Sequence, residues 1–551
     1  MTPVDVQRQL NEALQAYSSG DLGRAAMLLE GVLRATPNDV NALHMLGRVR
    51  KGQGSFDDAL ALCDRALAFA PGNVALMASR AAVLTDMERW AEALVGYESA
   101  LQRGADRTPI WMGRGHCLDK LQRAAEAAES FRRATALEPG NADAWFNLGR
   151  TLQTCQRHVD AAEAYQRAVS VRSDDLDARD NLGVALHQSD RFDEALVQFD
   201  EVLRRDPGRA ETWSNRGLLL FDRARPAEAI ASFDRALALA EAHGASKASL
   251  VSLHYNRAMA HMRGHELQAG WSGFELRWRA KDGNDEPAQS EPRWRGGSLP
   301  RALRIWREQG VGDEILLSRL VPFALRRTPR IVLDCDLRLA PLFARSFPEI
   351  VVGADGTSCE TQIAIGSLGP VLDVSASNLG GEAFLRADPA RVAALRAKYV
   401  EMARSRSIVG IAWSSNNPTR GALKTASLAS WSQLLERDYF FVNLQYGEAA
   451  EEGAAFGIYA DPEIDQIRDL DGFAAQIAAL DRVVSISNTT VHMAGALGVP
   501  CIVMPPPGRG RLWYWGYEGE TTPWYKSVRI VRRALDEDWS AQIARAAALL
   551  P

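Results

Sequence analysis

Residues of the same type recur every 34 positions through the first half of this chain. Prolines at Pro37, Pro71, Pro139 and Pro207 are separated by one or two such periods. The alanines of the same series are Ala25, Ala59, Ala93, Ala127, Ala161, Ala195 and Ala229, and the glycines are Gly115, Gly149, Gly183 and Gly217. A fixed period is typical of repeat proteins, in which each unit packs only on its neighbours. The pattern stops near residue 280.

The period of 34 residues predicts tetratricopeptide repeats, each a helix, a tight turn and a second helix. We therefore expect residues 1–280 to form a helical superhelix that holds an acceptor protein. An aromatic residue recurs at one position in the second helices of the repeats, and a tryptophan recurs at one position in the first helices. Both sets are predicted to pack in the core; they comprise Tyr97, Phe131, Tyr165, Phe199 and Phe233, and Trp111, Trp145 and Trp213.

Length and composition exclude several classes of protein. A chain of 551 residues is too long for a single core. A net charge of −5 argues against a chain that as a whole binds nucleic acid, and the sequence has no apolar run long enough to span a bilayer. Its six scattered cysteines lack the spacing of a metal site and fit a reducing cytoplasm.

A row of asparagines follows the same period. Asn147, Asn181 and Asn215 each stand two residues before the periodic glycine, and Asn256 continues the row after a short insertion. Side-chain amides can bond the backbone of an extended peptide without reading its sequence, because each one both donates and accepts. These four residues are candidates for contact with the acceptor protein; the alternative is an ordinary polar slot of the repeat.

Short apolar runs alternate with amphipathic helices after residue 300, which predicts an α/β fold of two Rossmann-like halves at 281–400 and 401–551. Ligands of such sheets bind beyond the carboxyl ends of the strands. The loops at 308–314, 414–424, 444–448 and 487–492 are therefore the candidate site.

The loop at 308–314 joins a predicted strand to a predicted helix. Gly310 and Gly312 allow the backbone to approach a ligand closely. Asp313 then has two interpretations: it caps the helix, or it is a general base that removes a proton from an acceptor hydroxyl.

The segment at 487–492 follows a strand and opens a helix, so its hydroxyls and N–H groups predict an anion site. The candidate ligands of a nucleotide donor are Ser414, Asn417, Arg420, Lys424, Gln445, Asn488, Thr489, Thr490 and His492. A solvated loop is the alternative for Arg420 and Lys424. Asp334 and Asp336 form a D-x-D pair, which we interpret as a cap and not as a metal site.

The segments GVGDEILLSRLVPFALRR, SISNTTVHMAGALGVPCIVM and TPWYKSVRIVRR resemble bacterial fusions of tetratricopeptide repeats with a GT-B glycosyltransferase. The second half is similar to the heptosyltransferases, and the layout and asparagine row are similar to O-GlcNAc transferase. Flagellin-modifying transferases of some alphaproteobacteria share the layout. The resemblance implies Asp313 as the base and a nonulosonic acid, such as pseudaminic acid, carried as its CMP ester. Ser487 departs from the pattern, which has an acidic residue there.

The chain is accordingly predicted to be a cytoplasmic, inverting protein O-glycosyltransferase that needs no metal or cofactor beyond its nucleotide-sugar co-substrate. Its acceptor is predicted to be a Ser or Thr of a protein, with flagellin implied by the resemblance. Two alternatives stay open. One is a non-catalytic adaptor with a nucleotide-binding domain, and the other is a transferase that acts on a glycan or lipid.

Overall fold

The computed structural model describes residues 2–282, 286–287, 289–297, 300–353, 357–417 and 421–551. The chain divides into two compact units, Met1–Pro207 and Gly208–Pro551. The first unit contains repeat helices alone. The second contains the last repeat helices together with two parallel sheets.

The first unit is a series of antiparallel helix pairs. Its helices are α1 (Pro3–Ser18), α2 (Leu22–Ala35), α3 (Val40–Gly52), α4 (Phe56–Phe69), α5 (Val74–Asp86), α6 (Trp90–Gln102), α7 (Thr108–Lys120), α8 (Ala124–Leu137), α9 (Ala142–Thr154), α10 (His158–Val171), α11 (Leu176–Gln188) and α12 (Phe192–Arg205). These bounds confirm the helical repeats predicted from the period of 34 residues.

Close contact between a glycine and an aromatic ring explains the period. A Cβ placed on Gly183 would lie 2.6 Å from Phe199 Cε1, and one on Gly149 would lie 2.8 Å from Tyr165 Cδ1. Both rings are fully buried, as predicted for their slot. Only glycine lets these two helices approach so closely, and Gly115 and Gly217 meet Phe131 and Phe233 in the same way. Earlier repeats have smaller pairs at these positions, such as Gly47 with Cys63.

The tryptophan slot is different, and its predicted burial is wrong. Trp111 and Trp145 are half-buried. The indole N–H of Trp145 donates to the carbonyl of Pro139, and that of Trp111 donates to Asp106. Each ring lies beside its own inter-repeat turn, so one face stays at the surface.

The second unit begins with α13 (Ala210–Asp222), α14 (Pro226–Ala242), α15 (Lys247–Arg263), α16 (Leu267–Phe274) and α17 (Arg277–Asp282). Trp271 and Phe274 belong to the same apolar cluster as the strands. The indole N–H of Trp271 donates to the carbonyl of Val374 at 2.7 Å. The repeat pattern ends near residue 280, as expected, but the helices from α13 onward pack in one unit with the sheets.

Two parallel sheets form the rest of the second unit. The first has the order β3-β2-β1-β4 and the second has the order β6-β5-β7-β8-β9. The strands are β1 (Leu303–Trp306), β2 (Ile331–Asp334), β3 (Val351–Val352), β4 (Thr361–Ala364), β5 (Ser407–Ala412), β6 (Tyr439–Asn443), β7 (Arg482–Ile486), β8 (Cys501–Met504) and β9 (Val528–Ile530). This arrangement confirms the predicted α/β class.

Helices cover the sheets and connect their strands. They are α18 (Val311–Ser318), α19 (Val321–Leu325), α20 (Ala340–Ser346), α21 (Leu368–Val371), α22 (Pro389–Ala403), α23 (Gly421–Lys424), α24 (Ser432–Leu435), α25 (Leu470–Ala478), α26 (Thr489–Leu497) and α27 (Trp539–Ala548). Among the helices described, none combines the length and the apolar character that a membrane span requires.

A buried ion pair joins the last repeat helix to the first sheet. Arg277, at the start of α17, donates from Nε and Nη2 to the carboxylate of Glu308 at 2.6 and 2.8 Å. The same carboxylate accepts the backbone N–H of Gly366, and Arg277 also donates to the hydroxyl of Ser367. Both side chains are almost completely buried, so each charge depends on the other for its stabilisation.

We expect Gly183→Val to destabilise the repeats by ~1–3 kcal/mol, because the new side chain overlaps the fixed ring of Phe199. Gly140→Val is the matched control, because no atom lies within 4 Å of a Cβ at that position. Urea unfolding followed by circular dichroism measures both. Equal midpoints for the two variants would contradict the packing argument.

Glu308→Gln should cost ~3 kcal/mol or more, because it leaves the Arg277 charge buried without its main counterion. The exposed Glu382→Gln, which breaks a surface pair with Lys526, should leave the unfolding midpoint almost unchanged. The same urea experiment applies. A wild-type midpoint for Glu308→Gln would show that the pair is dispensable.

Candidate functional site

In both sheets the predicted loops follow strands that lie at or next to a reversal of the strand order. In each sheet the chain starts in an inner strand, β1 or β5, and later strands add to both sides of it. Such reversal points open a crevice beyond the carboxyl ends of the strands, where ligands bind. The loops after β1, β5, β6 and β7 are the four loops expected from the sequence.

These loops line one cavity of about 1000 Å³ within the second unit. The predicted site residues that line it are Asn256, Gly310, Gly312, Asp313, Asn417, Lys424, Asn488, Thr489 and His492. Leu218, Phe221, Tyr255 and Met259 of the repeat helices α13 and α15 form another part of its wall. The cavity therefore has repeat helices on one side and the loops of both sheets on the other.

Asp313 lies in the first turn of α18. The N-cap of this helix is Gly310, and no side chain caps it. The interpretation of Asp313 as the helix cap is therefore wrong. A Cβ on Gly312 would lie 3.3 Å from Thr489 Oγ1 and from His492 Cδ2, so the glycine lets α18 rest against the start of α26.

The start of α26 is already partly hydrogen-bonded within the protein. Asn488 is its N-cap, and its side-chain oxygen accepts the N–H of Thr490 at 3.1 Å. Tyr446 lies against Thr489 and forms hydrogen bonds with its hydroxyl and its backbone. Burial raises the pKa of Tyr446, and these hydrogen bonds partly offset the increase. The free N–H groups expected there are thus fewer than the sequence suggested. The dipole of the helix, the Thr489 hydroxyl and nearby cations remain for an anion.

His492 is buried and enclosed by aromatic rings. It stacks on Trp515 with ring centroids 5.4 Å apart, and its Nδ1 lies 3.1 Å from the hydroxyl of Tyr525. Burial lowers the pKa of His492 to about 3, and the charge of Lys424 acts in the same direction. The imidazole is therefore neutral at physiological pH and offers the cavity one polar nitrogen edge and no charge.

Four predicted ligands do not fall among the described residues that line the cavity. Gln445 is buried beneath it, where its side-chain oxygen accepts the N–H groups of Trp413 and Ser414. Gln445 and Ser414 therefore shape the loop after β5 and do not line the cavity. Thr490 is buried inside α26. Arg420 lies outside the described residues.

The lining of the cavity includes a group of cationic side chains that the sequence did not lead us to predict. Besides Lys424, the cavity is lined by Arg263 of α15 and by Arg509 and Arg511 of the loop after β8. Asp222 and Asp313 are the carboxylates among its described lining residues. A signal was present in the segment GRGRLWYWGY, which alternates basic and aromatic residues directly after a strand.

Arginines surround the D-x-D pair. Asp334 pairs with Arg304 at 3.1 Å, and Asp336 pairs with Arg307 and Arg338 at 3.0 and 2.8 Å. The Asp336 side chain also accepts the N–H of Arg338, as expected for a local cap. Within the described part of the chain, no cluster of three or more His, Cys, Asp or Glu side chains has the arrangement of a metal site.

The predicted acceptor-binding asparagines use part of their amide locally. Nδ2 of Asn147 donates to the carbonyl of Asp143 and Nδ2 of Asn181 to that of Asp177, each one helical turn back. Both side chains are half-buried, and their oxygens are left as acceptors. Asn215, in the second unit, is also half-buried, and Asn256 lines the cavity.

Comparison with known proteins supports the repeat half directly. Two family models described as tetratricopeptide repeat match the chain, one over 16–82 and the other over the overlapping segments 80–142, 112–180, 155–208 and 181–244. The first half of the chain consists of tetratricopeptide repeats.

Individual relatives cover only part of the molecule. Protein FlbA of Caulobacter vibrioides is 32% identical over 353 aligned residues, which span 57% of this chain and 58% of FlbA. Among solved structures, the chain is similar to YrrB, a repeat protein with an unusual peptide-binding site, at 25% identity, over 33% of this chain and 94% of YrrB, with a TM-score of 0.32. PilF of Pseudomonas aeruginosa is 18% identical over 38% of this chain and 95% of its own, with a TM-score of 0.35.

Glu314, next to Asp313, gives the site a testable pH dependence. Burial raises the pKa of Glu314 to about 7 from 4.5, although the N–H of Asp336 donates to its carboxylate. Between these two values the unfolded chain loses this proton while the folded chain keeps it. Folding therefore becomes less favourable as the pH rises through this window, and the loss is complete above the folded pKa.

We expect Glu314→Gln to be more stable than the wild type at pH 8, by up to ~3 kcal/mol, and equally stable near pH 4. The reason is that glutamine does not ionise, so the variant avoids the free-energy cost of a charged carboxylate at this buried position. Urea midpoints at both pH values measure the difference. The exposed Glu349→Gln controls for the loss of one charge, and a pH-independent difference for Glu314→Gln would contradict the assignment.

Proposed function

We propose that this protein is a protein O-glycosyltransferase with a GT-B fold that transfers a sugar from a nucleotide donor to a Ser or Thr hydroxyl. One observation carries the proposal. Asp313, the start of α26 with Lys424, and the repeat helices α13 and α15 all line the same cavity. A carboxylate, a helix start with a nearby cation, and repeat helices thus line one cavity, which supports a transfer between a nucleotide sugar and a protein.

The proposed reaction follows from these groups. Asp313 takes the proton of the acceptor hydroxyl, whose oxygen attacks the anomeric carbon from the side opposite the phosphate. The bond from that carbon to the phosphate oxygen breaks, and the nucleotide leaves with the electron pair. Lys424 and the positive end of α26 stabilise the charge that develops on the leaving phosphate, so the transfer inverts the anomeric centre without a metal ion.

The acceptor side of the proposal rests on the repeats. Tetratricopeptide repeats fill the first half of the chain, and the last helices bring Tyr255 and Asn256 into the wall of the cavity. We propose that an extended segment of the acceptor protein passes along these helices and presents its hydroxyl to Asp313. Flagellin is the acceptor that we favour, from the resemblance to flagellin-modifying transferases and the similarity to protein FlbA.

The non-catalytic adaptor is the less favoured alternative. The location of Asp313 argues against it, because this carboxylate lines the cavity next to Gly312, which packs against the start of α26. For a transferase that acts on a lipid, the cavity wall made by repeat helices offers no advantage over an open cleft.

We expect Asp313→Asn to lower transfer by ~10²–10⁴-fold, because the general base is lost while the shape of the loop is kept. Donor affinity should change little. Intact-mass analysis of flagellin mixed with the protein and a CMP-activated nonulosonic acid measures transfer, and calorimetry measures donor affinity. Asp538→Asn, at the N-cap of α27 and outside the cavity lining, is the control for loss of a carboxylate at the start of a helix. Wild-type transfer by Asp313→Asn would refute the catalytic role.

A further inference from the structure

Arg511 is a buried arginine that lines the cavity. It lies in the loop between β8 and β9, and only 7% of its surface is exposed. Its guanidinium donates one hydrogen bond, from Nη1 to the carbonyl of Tyr517 at 3.2 Å. Its Nε is buried and has no partner in the described part of the chain. A guanidinium carries five N–H donors, so most of its bonding capacity is unused.

Burial of the Arg511 guanidinium with most of its donors unused is energetically unfavourable unless a ligand accepts from them. A charged group that leaves water must find replacement hydrogen bonds or a counterion, or its burial is strongly unfavourable. The structure shows the cost as a lowered pKa of Arg511, caused by burial and only partly offset by Tyr517 and Asp222.

Other arginines of the second unit make more of their hydrogen bonds. Arg263, which is buried and also lines the cavity, donates from both terminal nitrogens to the carbonyls of Phe221 and Arg511. Arg277 is held by the carboxylate of Glu308, and Arg319 donates to the carbonyls of Leu379 and Glu382. Arg532 donates to the carbonyls of residues 515, 516, 518 and 519. Arg277, Arg319 and Arg532 are not among the described residues that line the cavity. Arg511 makes the fewest hydrogen bonds of these five arginines and also lines the cavity.

Arg511 and Lys424 act on different neighbours, although their loops touch where Gly510 packs against Leu423. Lys424 acts on His492 of α26, the helix proposed to face the leaving phosphate. Arg511 acts on Tyr517 and on Asp222 at the end of the repeat helix α13. A ligand with two negative groups can therefore offer one group to each cation.

The side chain of Ser487 supports the same conclusion. The Ser487 hydroxyl, which lines the cavity, accepts the indole N–H of Trp515 at 2.7 Å and carries no charge. This part of the lining therefore adds no negative charge that would repel an anionic ligand. The described lining of the cavity contains four cationic side chains and two carboxylates.

We infer that Arg511 binds a second oxyanion of the nucleotide donor, in addition to the phosphate that leaves. This inference rests on the proposed function and narrows its substrate class. The second oxyanion is either the carboxylate of an acidic sugar or the second phosphate of a nucleoside diphosphate, and the planar fork of arginine suits both. Arg511 is thus a specificity-determining residue.

Calorimetric titration of the full chain tests this assignment. The probes are CMP, CMP-N-acetylneuraminic acid, UMP and UDP, and the variants are Arg511→Lys and Arg532→Lys. Arg511→Lys should weaken binding of the ligand with the second oxyanion by ~10–100-fold, because it keeps the charge but loses the fork. Affinity for the matching monophosphate should stay as in the wild type. Arg532→Lys, which changes a half-buried arginine outside the cavity lining, should preserve both affinities.

The possible results distinguish the two sources of the second oxyanion, a carboxylate and a second phosphate. They also distinguish failure of this inference from failure of the proposed function. A selective loss for CMP-N-acetylneuraminic acid identifies a carboxylate, and a selective loss for UDP identifies a second phosphate. Equal weakening of all four probes by Arg511→Lys, or no weakening at all, would overturn the inference while leaving the proposed function intact. A wild-type chain that binds none of the nucleotides would overturn the proposed function and this inference with it. Melting temperatures of both variants show whether either substitution acts through folding.

Discussion

The arrangement of the second unit depends on the buried ion pair between Arg277 and Glu308. Glu308 is two residues before Gly310, so the partner that fixes Glu308 also fixes the loop that carries Asp313. Buried ion pairs contribute little net stability, because desolvation offsets most of their attraction. Their directional hydrogen bonds do restrict geometry. We interpret this pair as the contact that holds the last repeat helix and the loop after β1 in one arrangement.

A dry environment around the start of α26 is the second requirement. His492, Tyr514, Trp515 and Tyr525 enclose this helix end with rings, and neither His492 nor Tyr525 carries a charge there, because burial lowers the pKa of the first and raises that of the second. Electrostatic interactions are stronger where water is excluded. A cation such as Lys424, itself almost completely buried, therefore acts on a ligand with little loss to solvent.

The sequence allowed the fold class, the strands and most of the cavity loops to be predicted, because they follow from periodicity and from the positions of loops after strands. Two kinds of feature could not be predicted. The burial of Gln445 and the half-exposure of Trp145 depend on neighbours distant in sequence, which no local pattern encodes. Arg511 was missed because a basic residue in a loop is usually solvated, and only its packing against the rest of the unit makes it unusual.

The position of the last repeats gives a reason for joining a protein-binding solenoid to an α/β domain. A flexible tether would only raise the local acceptor concentration to ~mM levels. Here α13 and α15 are part of the cavity wall, so the same helices that continue the repeats also enclose the ligand space. An acceptor bound along them would reach Asp313 in a limited range of orientations. Correct orientation of two reactants lowers the activation barrier more than a high local concentration does. Well-oriented reactants react as fast as if one of them were present at ~10⁵ M or more. Under the proposed function, packing the last repeats into the same unit as the sheets, in place of a linker near residue 280, would make that gain in rate accessible.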